Sequence, residues 1–285
     1  MRKLRRILIL LVVAISIVLV GFYGVKALTG GPELISQITD QGPKAPALDP
    51  NILYPDLVPL PASEMVVQTA EDGTIHLLFS TTYYNRGLGT LELRADPRTA
   101  GIRADLERDI LQRVYHKDGT YEESVVGTFL WHQEHLHYHY SDFITYDLMV
   151  VDGPENEELD GILVKSTFCL RDISRVDLDL ENTPPDAKYK ICGKELQGVS
   201  VGWGDTYYYN YPAQDLDISS LSSGTYKLVF TVNPERKLKE ITLDNNVSSV
   251  TFKLDMEAKT VEVLSQDPVE IPEIEHVYLD DPFGI

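Results

Sequence analysis

The 285-residue sequence contains little cysteine, and few basic residues for its number of acidic ones. Only two cysteines occur, Cys169 and Cys192, so the chain can form at most one internal disulfide bridge. Lys and Arg number 25 against 44 Asp and Glu, and the formal net charge is −19. A surface of this sign repels nucleic acid and attracts cations, including cationic amines. General solubility or a salty habitat explains the same charge, so the charge argues against a nucleic-acid partner without identifying another one.

Several sequence signatures are also absent. The sequence has no long segment with an apolar period of 3.6 residues, no internal repeat, no glycine-rich phosphate loop and no serine nucleophile elbow. These absences argue against a helical protein, a nucleotide-binding fold and a serine hydrolase. Short strand-forming runs are present instead, separated by turn residues such as Asp118-Gly119. This pattern predicts an all-β fold, a β-sandwich-like catalytic domain with long loops.

The predicted strands follow from runs of β-branched, aromatic and other apolar residues. In the clearest case Tyr226, Leu228, Phe230 and Val232 alternate with mostly polar residues, as expected of a half-buried strand. A helical turn or two is predicted around 103–108. The predicted strands are residues 75–79, 90–93, 110–115, 121–130, 143–151, 161–170, 226–232 and 250–254.

The N-terminal sequence predicts export. Four basic residues lie among the first six, and the following run, 7–23, is almost entirely apolar. Because basic residues stay on the cytoplasmic side, the rest of the chain should be extracytoplasmic, either membrane-anchored or secreted. The run is long enough to span a bilayer, which favours an anchor, although 25–27 resembles a cleavage site. Residues 1–28 are therefore a predicted signal anchor or signal peptide, followed by a linker at 29–52; residues 266–285 form an acidic tail.

Export also bears on the two cysteines. In an oxidising compartment Cys169 and Cys192 are expected to form a disulfide, which for a loop of this size stabilises the fold by about 3 kcal/mol. Two buried free thiols are the alternative.

Histidines are concentrated in one short segment. Four of the seven lie within 132–139, and His135, His137 and His139 occupy alternate positions among strand-forming residues. On a strand these three imidazoles would share a face, with the outer pair about 13 Å apart at Cα if the strand is straight. They would close on one ion only if the strand bends. Because imidazole is a favoured ligand of zinc and copper, we predict a metal site here, the alternative being a set of solvated or hydrogen-bonded histidines.

Four segments, in this order, resemble the lysyl oxidase family. They are the copper-binding segment at 131–148, the segment with the cofactor lysine at 165–170, the segment with the cofactor tyrosine at 197–207 and the closing strands at 216–254. The motifs are Trp-His and His-Leu-His-Tyr-His in the first, Lys-Ser-Thr-Phe-Cys-Leu in the second, Asp-Thr-Tyr in the third and Asp-Asn-Asn in the fourth. Asp-Asn-Asn alone is common in sandwiches, whereas the ordered set is specific. We interpret 53–265 as a lysyl oxidase-like domain.

The resemblance implies a copper-dependent amine oxidase. Carried over from the family, Lys165 and Tyr207 would form a lysine tyrosylquinone cofactor, and His135, His137 and His139 would hold copper. A cationic primary amine or a peptidyl lysine would be converted to an aldehyde at the expense of O₂, with release of hydrogen peroxide and ammonia. The Cys169–Cys192 bridge is consistent with the family pattern.

The sequence departs from the vertebrate pattern of the family at two positions. Glu134 stands where that pattern has a cysteine, and Thr145 stands where it has a histidine that has been considered a catalytic base. The proton acceptor is therefore open, and we assign Asp205 as the candidate.

Two other functions fit parts of the sequence. One is a non-catalytic extracellular metal-binding β-sandwich interaction module, because the closing strands also resemble adhesion-type domains. The other is a zinc hydrolase, in which Glu134 would act as a general base beside the ion.

Overall fold

The computed structural model describes residues 48–99, 106–133, 136–153 and 162–277. Apart from Leu48, these residues belong to one compact unit, Asp49–Ile285. The described chain forms β-strands and one short 3₁₀ turn, Pro97–Thr99, so the predicted all-β fold is confirmed. The predicted signal anchor or signal peptide at 1–28 lies outside the described residues. In the part of the chain that is described, no helix has the length and apolar character needed to cross a membrane.

The strands are numbered in chain order. They are β1 Ile52–Leu53, β2 Leu57–Pro59, β3 Ser63–Thr69, β4 Ile75–Asn85, β5 Leu91–Ala95, β6 Glu107–His116, β7 Tyr121–His132, β8 His137–Asp152, β9 Ile162–Phe168, β10 Ser174–Arg175, β11 Leu196–Val199, β12 Trp203–Tyr207, β13 Asp215–Asp217, β14 Gly224–Val232, β15 Val247–Asp255, β16 Thr260–Asp267 and β17 Glu275–His276.

The strands form two sheets. The larger sheet has the order β11-β5-β6-β7-β8-β14-β15-β16, with β1 added to β6 and β9 added to β8. The smaller sheet has the order β13-β4-β12-β10-β17, with β2 and β3 both paired to β4. Neighbouring strands run antiparallel, for example β14 with β8 and β12 with β4.

The core lies between the two sheets. Phe79 of the smaller sheet meets Tyr146 of the larger one edge to face, with ring centroids 4.9 Å apart, and Tyr83 meets Phe143 at the same separation. All four rings belong to one buried cluster that also includes residues of β14 and β15. Aromatic pairs of this geometry add to the free energy gained by burial. The arrangement is therefore a β-sandwich.

Every predicted strand overlaps an observed one, and the alternation predicted for 226–232 is seen as buried residues at every second position of β14. The prediction of a helical turn around 103–108 is wrong for its last two residues, because Glu107 and Arg108 open β6 and pair with β7. Residues 103–105 lie outside the described part. Within the predicted linker Ile52 begins β1, and within the predicted acidic tail Glu275 and His276 pair with β10.

Candidate functional site

The histidine segment forms the turn from β7 into β8. We predicted that His135, His137 and His139 share one face of a strand and close on one ion only if that strand bends. In the structure β8 begins at His137. Leu136 has φ of +55°, a left-handed conformation, so the backbone is not extended just before His137. His135 itself lies outside the described residues.

His137 and His139 converge on each other. Both are buried, at 6% and 2% exposure, and their Nε2 atoms lie 2.7 Å apart. Two imidazole nitrogens bound to one ion at about 2.0–2.1 Å would be roughly 3 Å apart, so this pair fits a metal with only a small adjustment. No group of three or more His, Cys, Asp or Glu suited to a metal is found among the residues that the structure describes. The third predicted ligand, His135, falls outside that set.

A third described imidazole lies beside this pair. His132, the last residue of β7, is the register partner of His137, and its ring stacks on that of His139 with centroids 4.6 Å apart and planes 15° apart. The sequence analysis did not include His132 among the candidate ligands. Its place in the four-histidine cluster was the available signal, but contact across two strands depends on their register.

One short segment joins the histidines to the candidate cofactor tyrosine. Oγ1 of Thr167 lies 3.0 Å from Nδ1 of His139. The ring of Phe168 packs on the ring of Tyr207 at a centroid distance of 3.6 Å, and the N–H of Cys169 donates to the Tyr207 hydroxyl at 2.9 Å. Three consecutive residues thus contact both His139 and Tyr207, which are far apart in the sequence.

Tyr207 ends β12 and is held in a dry environment. It is 8% exposed, and its Cα is the register partner of Thr81 on β4. Burial, and next the negative charge of Asp205, raise the pKa of the Tyr207 hydroxyl well above its ordinary value of 10.0. The phenol is therefore neutral at physiological pH.

The backbone of Lys165 lies on β9, directly opposite Thr145 of β8. Thr145 stands where the vertebrate pattern of the family has a histidine. The candidate cofactor lysine therefore pairs with a position that departs from that pattern. Lys165 is two residues before Thr167 on the same strand. The structure thus brings Lys165 to the strand that contacts both His139 and Tyr207.

Asp205 is buried beside Tyr207. The two residues are on alternate positions of β12, so they share a face. Asp205 is 1% exposed, and neither of its carboxylate oxygens has a hydrogen-bond partner. Burial raises its pKa to about 7, although the charge of Arg171 and nearby backbone N–H groups pull it down. An unpaired carboxyl that titrates near neutrality is a suitable proton acceptor.

The predicted disulfide is confirmed. Cys169 and Cys192 are bonded, with Cα atoms 5.4 Å apart. The carbonyl of Cys192 accepts from the N–H of Tyr138, which lies between the two described strand histidines. Gln197 adds a second tie, because its amide donates to the Tyr138 carbonyl at 2.7 Å and accepts from the N–H of Leu170 at 3.1 Å. The bridge and Gln197 thereby fix β8 against the segment that contacts Tyr207.

These features define an antiparallel sandwich with a buried histidine cluster connected to a buried tyrosine and carboxyl. A family model described as lysyl oxidase matches residues 120–264, which include the histidine segment, Lys165 and Tyr207. The chain belongs to the lysyl oxidase family.

Curated relatives agree with this assignment. Lysyl oxidase homolog 3B of Danio rerio is 33% identical over 129 residues, which are 45% of this chain and 15% of the relative. Lysyl oxidase homolog 4 of Homo sapiens is 32% identical over 131 residues, 45% of this chain and 16% of the relative. Lysyl oxidase homolog 4 of Bos taurus is 32% identical over 127 residues, 44% and 16% respectively. The match therefore takes in only a small part of each relative's length.

Proposed function

We propose that this protein is a copper-dependent amine oxidase whose quinone cofactor is made from Lys165 and Tyr207. It would convert a primary amine, O₂ and water to an aldehyde, ammonia and hydrogen peroxide. The observation that carries the proposal is the run Thr167, Phe168 and Cys169, which contacts His139 on one side and Tyr207 on the other. Family membership supports the same conclusion.

The donor set suits copper. Imidazole nitrogen is a favoured copper ligand, and the Nε2 atoms of His137 and His139 converge within the described site. We propose His135 as the third ligand. When bound, copper would activate O₂ toward the Tyr207 ring, and the resulting quinone would serve as the electron acceptor for the amine.

The chain's own residues orient the reacting groups and keep water away. Phe168 covers one face of the Tyr207 ring, and the Cys169 N–H fixes the position of its oxygen. We propose that Thr167 accepts a hydrogen bond from Nδ1 of His139, which would place the lone pair of that ring on Nε2, the atom that faces His137. The site is therefore preorganised from one short backbone segment.

Asp205 is the proposed proton acceptor. Its carboxyl lies beside Tyr207, makes no hydrogen bond that would hold its charge, and has a pKa raised to about 7. Such a group takes up a proton from the carbon next to the amine nitrogen and releases it again at neutral pH. Tyr83 is the register partner of Asp205 on the neighbouring strand β4, and burial, and next the charge of Asp205, raise the pKa of its hydroxyl.

The charge and the N-terminal segment support the proposed substrate and setting. A net charge of −19 attracts cationic amines, including peptidyl lysine, and the rate should fall as salt screens that attraction. We propose an extracytoplasmic location, with the N-terminal segment acting as a membrane anchor or as a cleaved signal.

The test is aerobic copper loading of the full chain. We expect a visible quinone absorbance that a hydrazine titrates, an intact mass that departs from the encoded one, and peroxide when primary amines are added. Tyr207→Phe and Lys165→Ala should each abolish all three signals. Tyr121→Phe, at the exposed start of β7, is the control that deletes the same hydroxyl and should retain them.

Wild-type protein that binds copper but keeps its encoded mass and yields no peroxide would contradict the oxidase. The metal-binding interaction module would then be the supported function. Hydrolysis of a substrate by the zinc-loaded protein, with its mass unchanged, would instead support the zinc hydrolase.

A further inference from the structure

A cavity is lined in part by the residues that follow Tyr207 in the chain. Its volume is about 480 Å³, and it is formed by β3, β4, β13 and the loop that follows Tyr207. The residues that give it chemical character are Gln68, His76, Tyr209, Tyr211 and Asp215.

Tyr211 connects this cavity to the cofactor tyrosine. Its ring lines the cavity and also meets the ring of Tyr207, with centroids 6.0 Å apart and planes at 72°. Tyr211 is thus in contact with both the cavity and the candidate cofactor tyrosine.

The cavity is negatively charged at one wall. Asp215 lines the cavity, and its Oδ2 lies 2.5 Å from Nδ1 of His76. Asp72 and Asp217 both interact electrostatically with His76. Asp72 and Asp217 do not line the cavity, so the negative charge that a ligand there would meet directly is that of Asp215. The side chains of His76 and Asp215 are 26% and 31% exposed, and a ligand from solvent can reach them.

We propose that this cavity is a subsite for the second positive charge of a diamine or polyamine whose first amino group reacts at Tyr207. Carboxylate together with tyrosine rings is the chemistry that binds an alkylammonium group, through an ion pair and through contact with the π-faces. The cavity residues Tyr209 and Tyr211 supply the rings and Asp215 supplies the charge. The choice of an amine as the occupant rests on the proposed oxidase function.

The test measures binding on the copper-free full chain by calorimetry. The probes are 1,5-diaminopentane and n-pentylamine, which differ only in the second amino group. An ion pair to a partly exposed carboxylate should give the diamine about a fivefold advantage in affinity. Asp215→Asn should remove this advantage. Asp217→Asn, which deletes the same charge on the same strand but does not line the cavity, should keep it.

His76→Gln provides a second, opposite test. The variant keeps a hydrogen-bonding side chain beside Asp215 and removes the competing imidazole, so the preference for the diamine should be retained or increased. A thermal melt of each variant confirms that it is folded.

Equal affinity of the two probes for the wild type would overturn the subsite, and so would an unchanged preference in Asp215→Asn. An equal loss in Asp217→Asn would show a general field of negative charge and no subsite. Because binding to copper-free protein needs no quinone, failure of the oxidase would leave this result standing. Loss of the subsite with quinone formation intact would reject the subsite alone.

Discussion

Two buried aspartates lie near each other and have opposite surroundings. Asp172 accepts four hydrogen bonds, from the N–H groups of Lys188, Tyr189 and Ser200 and from the Ser200 hydroxyl, at 2.8 to 3.1 Å. Asp205 accepts no hydrogen bond of normal geometry, although the backbone N–H groups of Arg171 and Thr206 lie near enough to lower its pKa. Burial raises the pKa of both, but the bonds to Asp172 oppose this effect, whereas Asp205 reaches about 7. The carboxyl of Asp172 therefore holds loops together, whereas the carboxyl of Asp205 is available for proton transfer.

The largest expected effect is on the activity of Asp205→Asn. An amide is isosteric but cannot accept the proton, so turnover per titratable quinone should fall about 100-fold or more. The wild-type rate should rise with pH through about 7, where the carboxyl ionises, and the variant should lose this dependence. Steady-state rates from pH 5 to 9, normalised to hydrazine-titrated quinone, measure both. Asp118→Asn, in an exposed hairpin turn, is the control. Full activity in Asp205→Asn would remove this residue from the mechanism.

The next largest effect is the loss of stability expected in Asp172→Asn. The amide group would place its own N–H donors against the N–H groups that now bond the carboxylate, so about 3 kcal/mol of unfolding free energy should be lost. Chemical denaturation of the metal-free protein measures it. Asp205→Asn is the matched comparison and should not show this loss. Equal destabilisation by the two substitutions would erase the distinction between the two aspartates.

The smallest effect is the contribution of Asp205 to the way the protein's stability changes with pH. Because the folded-state pKa of about 7 lies above the ordinary 3.8, the unfolded chain releases this proton first, and wild-type stability declines between about pH 4 and 7. Asp205→Asn removes that decline, so we expect the variant to be more stable than the wild type above pH 7, with the gain falling to none below pH 4. Melting curves at pH 4, 6 and 8 measure it. A gain at pH 4 equal to that at pH 8 would contradict the raised pKa.

The sequence predicted the strands well because their signal is local. Buried and less buried residues alternate along β14, and β4 and β8 contain apolar runs, because these strands bury residues in the core. This pattern can be read from the sequence of each segment alone. The strands that were not predicted, such as β3 and β16, are mostly exposed along their length and carry little apolar pattern. The disulfide was predictable because only two cysteines exist and export was expected.

The finer features of the site depend on contacts that no local pattern encodes. Asp172 is bonded mainly by backbone N–H groups, which every residue other than proline has. The contact of His132 with His139 depends on the register of β7 and β8. The left-handed backbone of Leu136 has no signal either, because leucine rarely adopts it. The sequence therefore identified the residue types of the site but not their bonding.

The contacts made by residues 167–169 restrict the number of residues in this part of the chain. The side chains of Thr167 and Phe168, at adjacent positions of β9, contact His139 and Tyr207 respectively, and the N–H of Cys169, just beyond β9, donates to the Tyr207 hydroxyl. Inserting or deleting one residue between Lys165 and Cys169 would turn the shifted side chains to the opposite face. Substitutions here would weaken single contacts, but a one-residue insertion would displace the metal side and the tyrosine side together. The number of residues between Lys165 and Cys169 is thus as restricted as their identity.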